Sequence, residues 1–171
     1  LNTVRTGAVI DIKAIPECTV LTIQDNQLLI GSTVTLTQLM EAQLFPLLAK
    51  TGGRVADHTI RDKITIGGNL CGKIFYREAL LPLLLAESTA VIAGPTGERR
   101  AAICELFQET KGLAPGEILV QVVTDVEYLK LPHIGVKKTR IDKIDYPLVT
   151  IAALKKEEQI KLLEVLSIYM N

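Results

Sequence analysis

The sequence has no excess of charge of either sign and few residues suited to metal chemistry. Lys and Arg total 19, Asp and Glu also total 19, and there are two histidines. Without a basic excess a protein does not concentrate nucleic acid at its surface, so we expect no nucleic-acid partner. His58 and His133 have no cysteine or carboxylate at ligand spacing nearby, and the sequence therefore predicts no metal site.

Long hydrophobic runs and targeting signals are also missing. The longest apolar run, residues 79–86, contains Pro82 and is far shorter than the roughly 20 residues that span a bilayer. The N-terminus has no charged stretch followed by an apolar one, and the three cysteines are odd in number and widely spaced. We expect a soluble protein of the reducing cytoplasm. Its 171 residues, 48% of them hydrophobic, suffice for one domain or one domain plus a small second piece.

The common signatures of nucleotide and covalent chemistry are absent. There is no Gly-x-Gly-x-x-Gly run, no P-loop lysine signature and no serine in a nucleophile-elbow setting. Cys71 has no evident histidine base, so a packed thiol is a better interpretation than a nucleophile. Any nucleotide site must be of another kind.

The most informative feature that is present is a glycine pair, Gly67-Gly68, between Thr65 and Asn69. Glycine can adopt positive φ and bring its N–H close to a phosphate, while Thr65 and Asn69 add short side-chain hydrogen bonds. The same residues also suit a tight turn. The residues alone leave both interpretations open.

Short β-like runs alternate with helical stretches, which predicts an α+β fold with a mixed sheet and helices on its sides. Thr35 and Gln38 resemble a capping box that begins one amphipathic helix from Leu36 to the Thr51-Gly52-Gly53 run. A second helix is predicted over residues 77–87. Strands are predicted over residues 8–12, 19–23, 27–31, 90–93, 99–103, 118–124, 149–153 and 160–166, with hairpin turns at 24–26, 94–97 and 155–158.

The run from Ile60 to Asn69 resembles the second flavin loop of the FAD-binding medium subunits of molybdenum hydroxylases, the xanthine dehydrogenase and carbon monoxide dehydrogenase family. Residues 9–17, 29–36, 115–119, 137–140 and 144–149 also resemble this family, so most of the chain is covered. Residues 71–73 and 77–82 are most similar to its purine-hydroxylase branch. The resemblance implies a PCMH-type FAD-binding domain over residues 1–131 and the start of an α+β C-terminal domain over residues 132–171.

The resemblance also implies which residues contact the cofactor. In such proteins this loop wraps the FAD diphosphate, with backbone amides replacing the water that the phosphates lose. The residues concerned here are Thr65, Ile66, Gly67, Gly68 and Asn69. Glu78 would lie near the adenosine, Leu119 against the flavin ring, and Lys137 near the isoalloxazine, where its charge stabilises the anionic reduced flavin. A solvated carboxylate at a helix start, a core leucine and a surface lysine remain as alternatives for these three.

The function implied is that of an electron-transfer flavoprotein. A partner subunit with the molybdenum cofactor would oxidise a purine or similar heterocycle, an iron-sulfur subunit would relay the electrons, and FAD on this chain would pass them to NAD as hydride. Two alternatives are a non-catalytic assembly module without flavin and a stand-alone FAD oxidase.

One departure from the family concerns its N-terminal segment. That segment carries a first glycine loop, Ala-Gly-Gly followed by Thr or His, whereas here Leu1 to Thr6 lead almost directly to Ala8. The sequence also stops at Asn171, short of the family's full C-terminal domain. We therefore expect a truncated chain with weakened FAD affinity, or with none.

Overall fold

A five-stranded antiparallel sheet forms the first part of the molecule. The structure, a computed structural model, describes residues 7–72, 77–107, 112–139 and 147–166. Its sheet has the order β1-β2-β5-β3-β4, and each of these neighbouring pairs is antiparallel. The strands are β1 (Leu21–Gln24), β2 (Gln27–Gly31), β3 (Thr89–Gly94), β4 (Gly97–Ala102) and β5 (Ile118–Asp125). The α+β class is confirmed, with one refinement: the expected mixed sheet is antiparallel in all its described pairings.

The two predicted hairpins of this sheet are confirmed, and local residue choice explains their turns. Asp25 and Asn26 both have positive φ, 48° and 61°, as a two-residue turn between twisted strands requires. In the turn between β3 and β4 the residue with positive φ is Gly97, at 108°, a conformation that glycine adopts without steric cost.

The helices are short, and all but the first, which precedes β1, lie between β2 and β3 in the sequence. They are α1 (Pro16–Thr19), α2 (Leu36–Ala42), α3 (Pro46–Gly52), α4 (His58–Arg61), α5 (Ile66–Cys71) and α6 (Leu80–Leu85), and two 3₁₀ turns follow at Ile103–Phe107 and Val126–Tyr128. The capping box at Thr35 and Gln38 is confirmed, because each side chain bonds the backbone N–H of the other. The prediction of one amphipathic helix is wrong. Gln43 at the C-cap of α2 has a left-handed backbone conformation, and Pro46 begins α3, because a proline cannot continue the preceding helix.

Two other local predictions need correction. Residues 8–12 form no strand, and Val9 is 88% exposed, because no strand among the described residues pairs with this β-rich run. The helix predicted over residues 77–87 is shorter, Leu80–Leu85, and its C-cap is Ala86.

A second, three-stranded antiparallel sheet follows, with the order β6-β7-β8. Its strands are β6 (His133–Thr139), β7 (Pro147–Lys156) and β8 (Gln159–Leu166). The strands predicted over residues 149–153 and 160–166 lie within β7 and β8, whereas β6 was missed. The chain changes sheet after Leu131, at the predicted domain boundary, and the boundary itself stays a prediction.

One hydrophobic cluster joins both sheets to the helices. It contains Ile30 from β2, Leu36 and Leu47 from the helices, Val122 from β5 and Leu154 from β7, all at most 1% exposed. The helices α3 and α6 pack against each other and against the second sheet. In the part of the chain that the structure describes, no helix has both the length and the apolar character needed to cross a membrane.

Candidate functional site

The glycine pair lies in the first turn of α5. Thr65 is the N-cap of this helix, and its Oγ1 accepts a hydrogen bond from the Gly68 N–H at 3.0 Å. Thr65 also forms an isolated β-bridge with Thr35, the N-cap of α2. The two helix starts therefore hold each other in place.

The structure corrects the predicted geometry of the glycines. Neither Gly67 nor Gly68 has positive φ, so the expected positive-φ backbone and the tight turn are both wrong, while the contact of these residues with the FAD diphosphate stays a prediction. Gly67 is required for a different reason. A Cβ there would lie 2.8 Å from the Ser32 carbonyl oxygen and 2.9 Å from the Ser32 Cβ, because α5 packs directly against the end of β2.

The backbone amides of this turn already have acceptors inside the protein. Ile66 donates to the Val34 carbonyl at 2.8 Å, Gly67 to the Ser32 carbonyl at 2.9 Å, and Asn69 to the Thr65 carbonyl at 2.9 Å. The Gly68 N–H is bound by the Thr65 cap. In this conformation the four N–H groups are all bound within the protein, and their contact with phosphate stays a prediction.

An open cleft of about 310 Å³ lies beside the turn. Four of the eight predicted site residues line it: Thr65, Gly67, Gly68 and Leu119. Its other lining residues are Ile12, Ser32, Thr33, Cys71, Leu113, Glu117 and Ile118. Leu119 also belongs to the hydrophobic core, which agrees with the alternative of a core leucine. Its contact with a flavin ring stays a prediction. The cleft thus has a wall of glycines and hydroxyls facing an apolar wall from β5.

Unpartnered polar atoms lie at and beneath this wall. Asn69 is 1% exposed, and neither Oδ1 nor Nδ2 has a hydrogen-bond partner among the described residues. Ser32 is 5% exposed, and its Oγ also has no hydrogen-bond partner among the described residues. Buried polar groups are normally hydrogen-bonded, so such atoms point to a missing ligand or water. Sequence reasoning missed Ser32, since it carries no motif of its own.

Glu78 and Lys137 come together away from this cleft. The Lys137 Nζ lies 3.3 Å from the Glu78 Oε1, and the two side chains are only 7% and 3% exposed. Lys137 also donates to the Arg54 carbonyl at 2.7 Å. The alternatives of a solvated carboxylate and a plain surface lysine are therefore wrong. Near them Thr150, the register partner of Lys137, has a buried Oγ1 without a partner in the described part of the chain.

Two titratable groups line the cleft. Glu117 accepts two hydrogen bonds from Arg99, each 2.7 Å, and one from the Ala114 N–H, and these bonds lower the pKa of its carboxyl to about 2. At Cys71 desolvation raises the pKa of the thiol, and the positive charge of Arg77 opposes this effect. A protonated thiol is a poor nucleophile, which agrees with the absence of a covalent-catalysis motif.

Both histidines have ordinary partners. His58 pairs with Asp62 at 3.2 Å, and the His133 Nδ1 lies 3.0 Å from the Leu131 carbonyl. Across the described ranges no group of three or more His, Cys, Asp or Glu residues is placed to hold a metal ion.

Comparison with known proteins shows which family this sequence matches. Residues 1–124 match the family model described as the FAD binding domain in molybdopterin dehydrogenase. A curated relative, the xanthine dehydrogenase FAD-binding subunit of Escherichia coli O157:H7, is 31% identical over 96 residues, 53% of this chain and 33% of the relative. The nicotinate dehydrogenase FAD-subunit of Eubacterium barkeri is 26% identical over 130 residues, 71% of this chain and 44% of the relative.

Solved structures share the fold. Quinoline 2-oxidoreductase from Pseudomonas putida 86 superposes with a TM-score of 0.76 at 24% identity, covering 90% of this chain and 57% of that one. Carbon monoxide dehydrogenase from Hydrogenophaga pseudoflava gives a TM-score of 0.79 at 20% identity, covering 88% and 56%. This chain spans well under two thirds of the length of each of these proteins.

Proposed function

We propose a function from one premise: this chain belongs to the family of FAD-binding domains in molybdopterin dehydrogenases. The proposal is that it holds FAD in the cleft beside α5 and serves as the flavin subunit of a molybdenum hydroxylase. The observation that carries it is the joint placement of Thr65, Gly67, Gly68 and Leu119 around one open cleft. Leu119 is distant in sequence from the other three residues, and the fold brings it to them.

The residues present fit such a cofactor. Among the described residues the Ser32 hydroxyl and the Asn69 side-chain amide are buried without partners, and at Gly67 and Gly68 the cleft is lined by backbone alone. Leu119 and Ile118 supply an apolar surface of the kind that a flavin ring packs against. When bound, FAD supplies the electron transfer, and the protein supplies binding, orientation and charge.

Glu78 and Lys137 enter this proposal as a pair rather than as two separate contacts. A buried cation next to a buried carboxylate fixes the position of both groups. We assign Lys137 to the electrostatics of the reduced flavin and Glu78 to holding that lysine in place, with the adenosine contact as the further role implied by the family.

The partners and the electron acceptor belong to the same proposal. An iron-sulfur subunit and a molybdenum-cofactor subunit would deliver electrons, and NAD would accept them. The substrate would be bound by another subunit, with a purine favoured by the similarity of residues 71–73 and 77–82 to that branch. Cys18, Cys71 and Cys104 are free thiols, which suits the proposed cytoplasmic location.

A titration of the full-length gene product with FAD tests the proposal, using flavin fluorescence and the near-ultraviolet flavin spectrum. We expect saturable binding that Gly68→Asp weakens, because the new carboxylate would face the phosphates across the cleft. Gly68→Ala is the matched control, since a Cβ there meets only the Thr65 Oγ1, at 3.2 Å. A folded wild-type chain that binds no FAD, or equal affinities for the two variants, would contradict the proposal.

A second candidate, an assembly module without flavin, is favoured by the outer face of the second sheet. Ile134, Val136, Ile160 and Leu162 are 48–69% exposed there. Contiguous apolar surface of this kind is typical of an interface. Capture of the candidate partner subunits by the flavin-free chain, together with no FAD binding, would favour this function over the first.

A further inference from the structure

Ser32 is held in place by its backbone while its side chain has nothing to bind. It follows β2 directly, its N–H donates to the Val120 carbonyl at 2.8 Å, and its carbonyl accepts from the Gly67 N–H at 2.9 Å. The hydroxyl is buried and has no partner in the described part of the structure. A rigid, desolvated hydroxyl without a partner is costly unless something else binds it.

Ser32 belongs to the wall of the cleft. It lines the cleft beside Thr65, Gly67 and Gly68. The amides of residues 66–69 are already bound within the protein, so hydroxyl groups are what this wall offers to a ligand. Thr33 lines the same cleft, but its hydroxyl donates to the Cys18 carbonyl at 2.6 Å. Ser32 is thus the adjacent hydroxyl left without an acceptor.

The surroundings of Ser32 suit a phosphate better than a ring. Beside Ser32 the lining is the polar backbone of Gly67 and Gly68, which carry no side chain, while the apolar side chains of Ile118 and Leu119 line the β5 part of the cleft. Glu117 is the carboxylate among the lining residues. It accepts hydrogen bonds from two nitrogens of Arg99, whose positive charge reduces the repulsion between Glu117 and a bound anion.

We propose that the Ser32 hydroxyl donates a hydrogen bond to a phosphate oxygen of the bound dinucleotide and so positions the diphosphate against α5. This inference rests on the proposed FAD function and adds a binding residue to it. The contact takes over part of the role that sequence reasoning gave to the backbone amides of the glycine turn.

The test compares Ser32→Ala with Ser88→Ala, a matched loss of a buried serine hydroxyl outside the cleft, where Ser88 bonds the Thr124 hydroxyl at 2.7 Å. We expect Ser32→Ala to weaken FAD binding about tenfold, as for a hydrogen bond to a charged group, while leaving the melting temperature of the FAD-free protein unchanged. Ser88→Ala should lower that melting temperature and leave FAD binding unchanged, since the bond that it loses is internal. A purely structural role for Ser32 would instead lower the FAD-free melting temperature.

Ligands that lack phosphate separate the phosphate contact from others. Ser32→Ala should weaken FAD and ADP binding but leave riboflavin binding unchanged. Equal losses for riboflavin and FAD would overturn the phosphate assignment, and unchanged FAD affinity would overturn the role of Ser32 while the proposed function stands. If the folded wild-type chain binds none of these ligands, the proposed function fails and this inference fails with it.

Discussion

At the scale of single residues, Gly67 and Gly68 have different reasons to be glycine although they are adjacent. Both lie in the first turn of α5, where alanine is intrinsically favoured over glycine. At Gly67 a Cβ would collide with the backbone and Cβ of Ser32, whereas at Gly68 it would meet only the Thr65 hydroxyl. Close packing of α5 on β2 therefore constrains the first glycine far more than the second.

We expect Gly67→Ala to lower the free energy of unfolding by about 1–3 kcal/mol, the usual cost of overpacking. Gly68→Ala should change it by less than about 1 kcal/mol, because helix propensity offsets a small local adjustment. Urea unfolding followed by circular dichroism measures both. Equal stabilities for the two variants would show that the contact with Ser32 is not limiting.

Glu117 gives a prediction about pH. Hydrogen bonds from Arg99 and from the Ala114 N–H lower the pKa of its carboxyl in the folded state from 4.5 to about 2. A depressed pKa stabilises the fold above the unfolded-state value, and this contribution is lost as pH falls from about 4.5 through 2. We expect the wild type to lose its stability advantage over Glu117→Gln across that window. Melting temperatures of both proteins at pH 7, 4 and 2 measure it, and a constant difference would refute the assignment.

At the scale of elements, sequence reasoning succeeded where a signal is local. Thr35 and Gln38 predicted a helix start because both hydrogen bonds close within four residues. It failed at residues 8–12, where β propensity has no neighbouring strand among the described residues to pair with, and at Pro46, whose helix-breaking effect was overlooked. The cleft itself could be predicted only through family resemblance, since Ser32, Thr65 and Leu119 meet through pairings between distant segments.

The capping box gives a prediction at this scale. Thr35→Ala removes the hydroxyl that caps the Gln38 N–H, and we expect it to lower the free energy of unfolding by about 1 kcal/mol. Thr35→Ser keeps the hydroxyl and should retain most of that stability. Thermal and urea unfolding of the pair measure the difference, and a fully stable alanine variant would mean that the β-bridge to Thr65, rather than the cap, holds this helix start.

At the scale of the whole molecule, polar contacts join the second sheet to the rest of the chain. The Lys156 Nζ bonds Glu127 at 2.8 Å and the Tyr128 hydroxyl at 3.2 Å, and Lys161 pairs with Glu87. These contacts lie at the surface, where ion pairs contribute little to stability. Glu78 and Lys137 are instead buried between the start of α6 and β6, so their contribution should be much larger.

We expect Lys137→Met to lower the free energy of unfolding by about 3 kcal/mol or more, because it leaves the buried Glu78 carboxylate unpaired. Lys138→Met is the matched control: its side chain is exposed on the same strand and should be nearly neutral. Combining Lys137→Met with Glu78→Gln removes both charges, and the double variant should lose less stability than the sum of the single variants. Urea unfolding of the wild type, Lys137→Met, Glu78→Gln and the double variant completes the cycle. Additive losses would mean that the two residues stabilise the protein independently, and the assignment of Glu78 as the group that positions Lys137 would then be wrong.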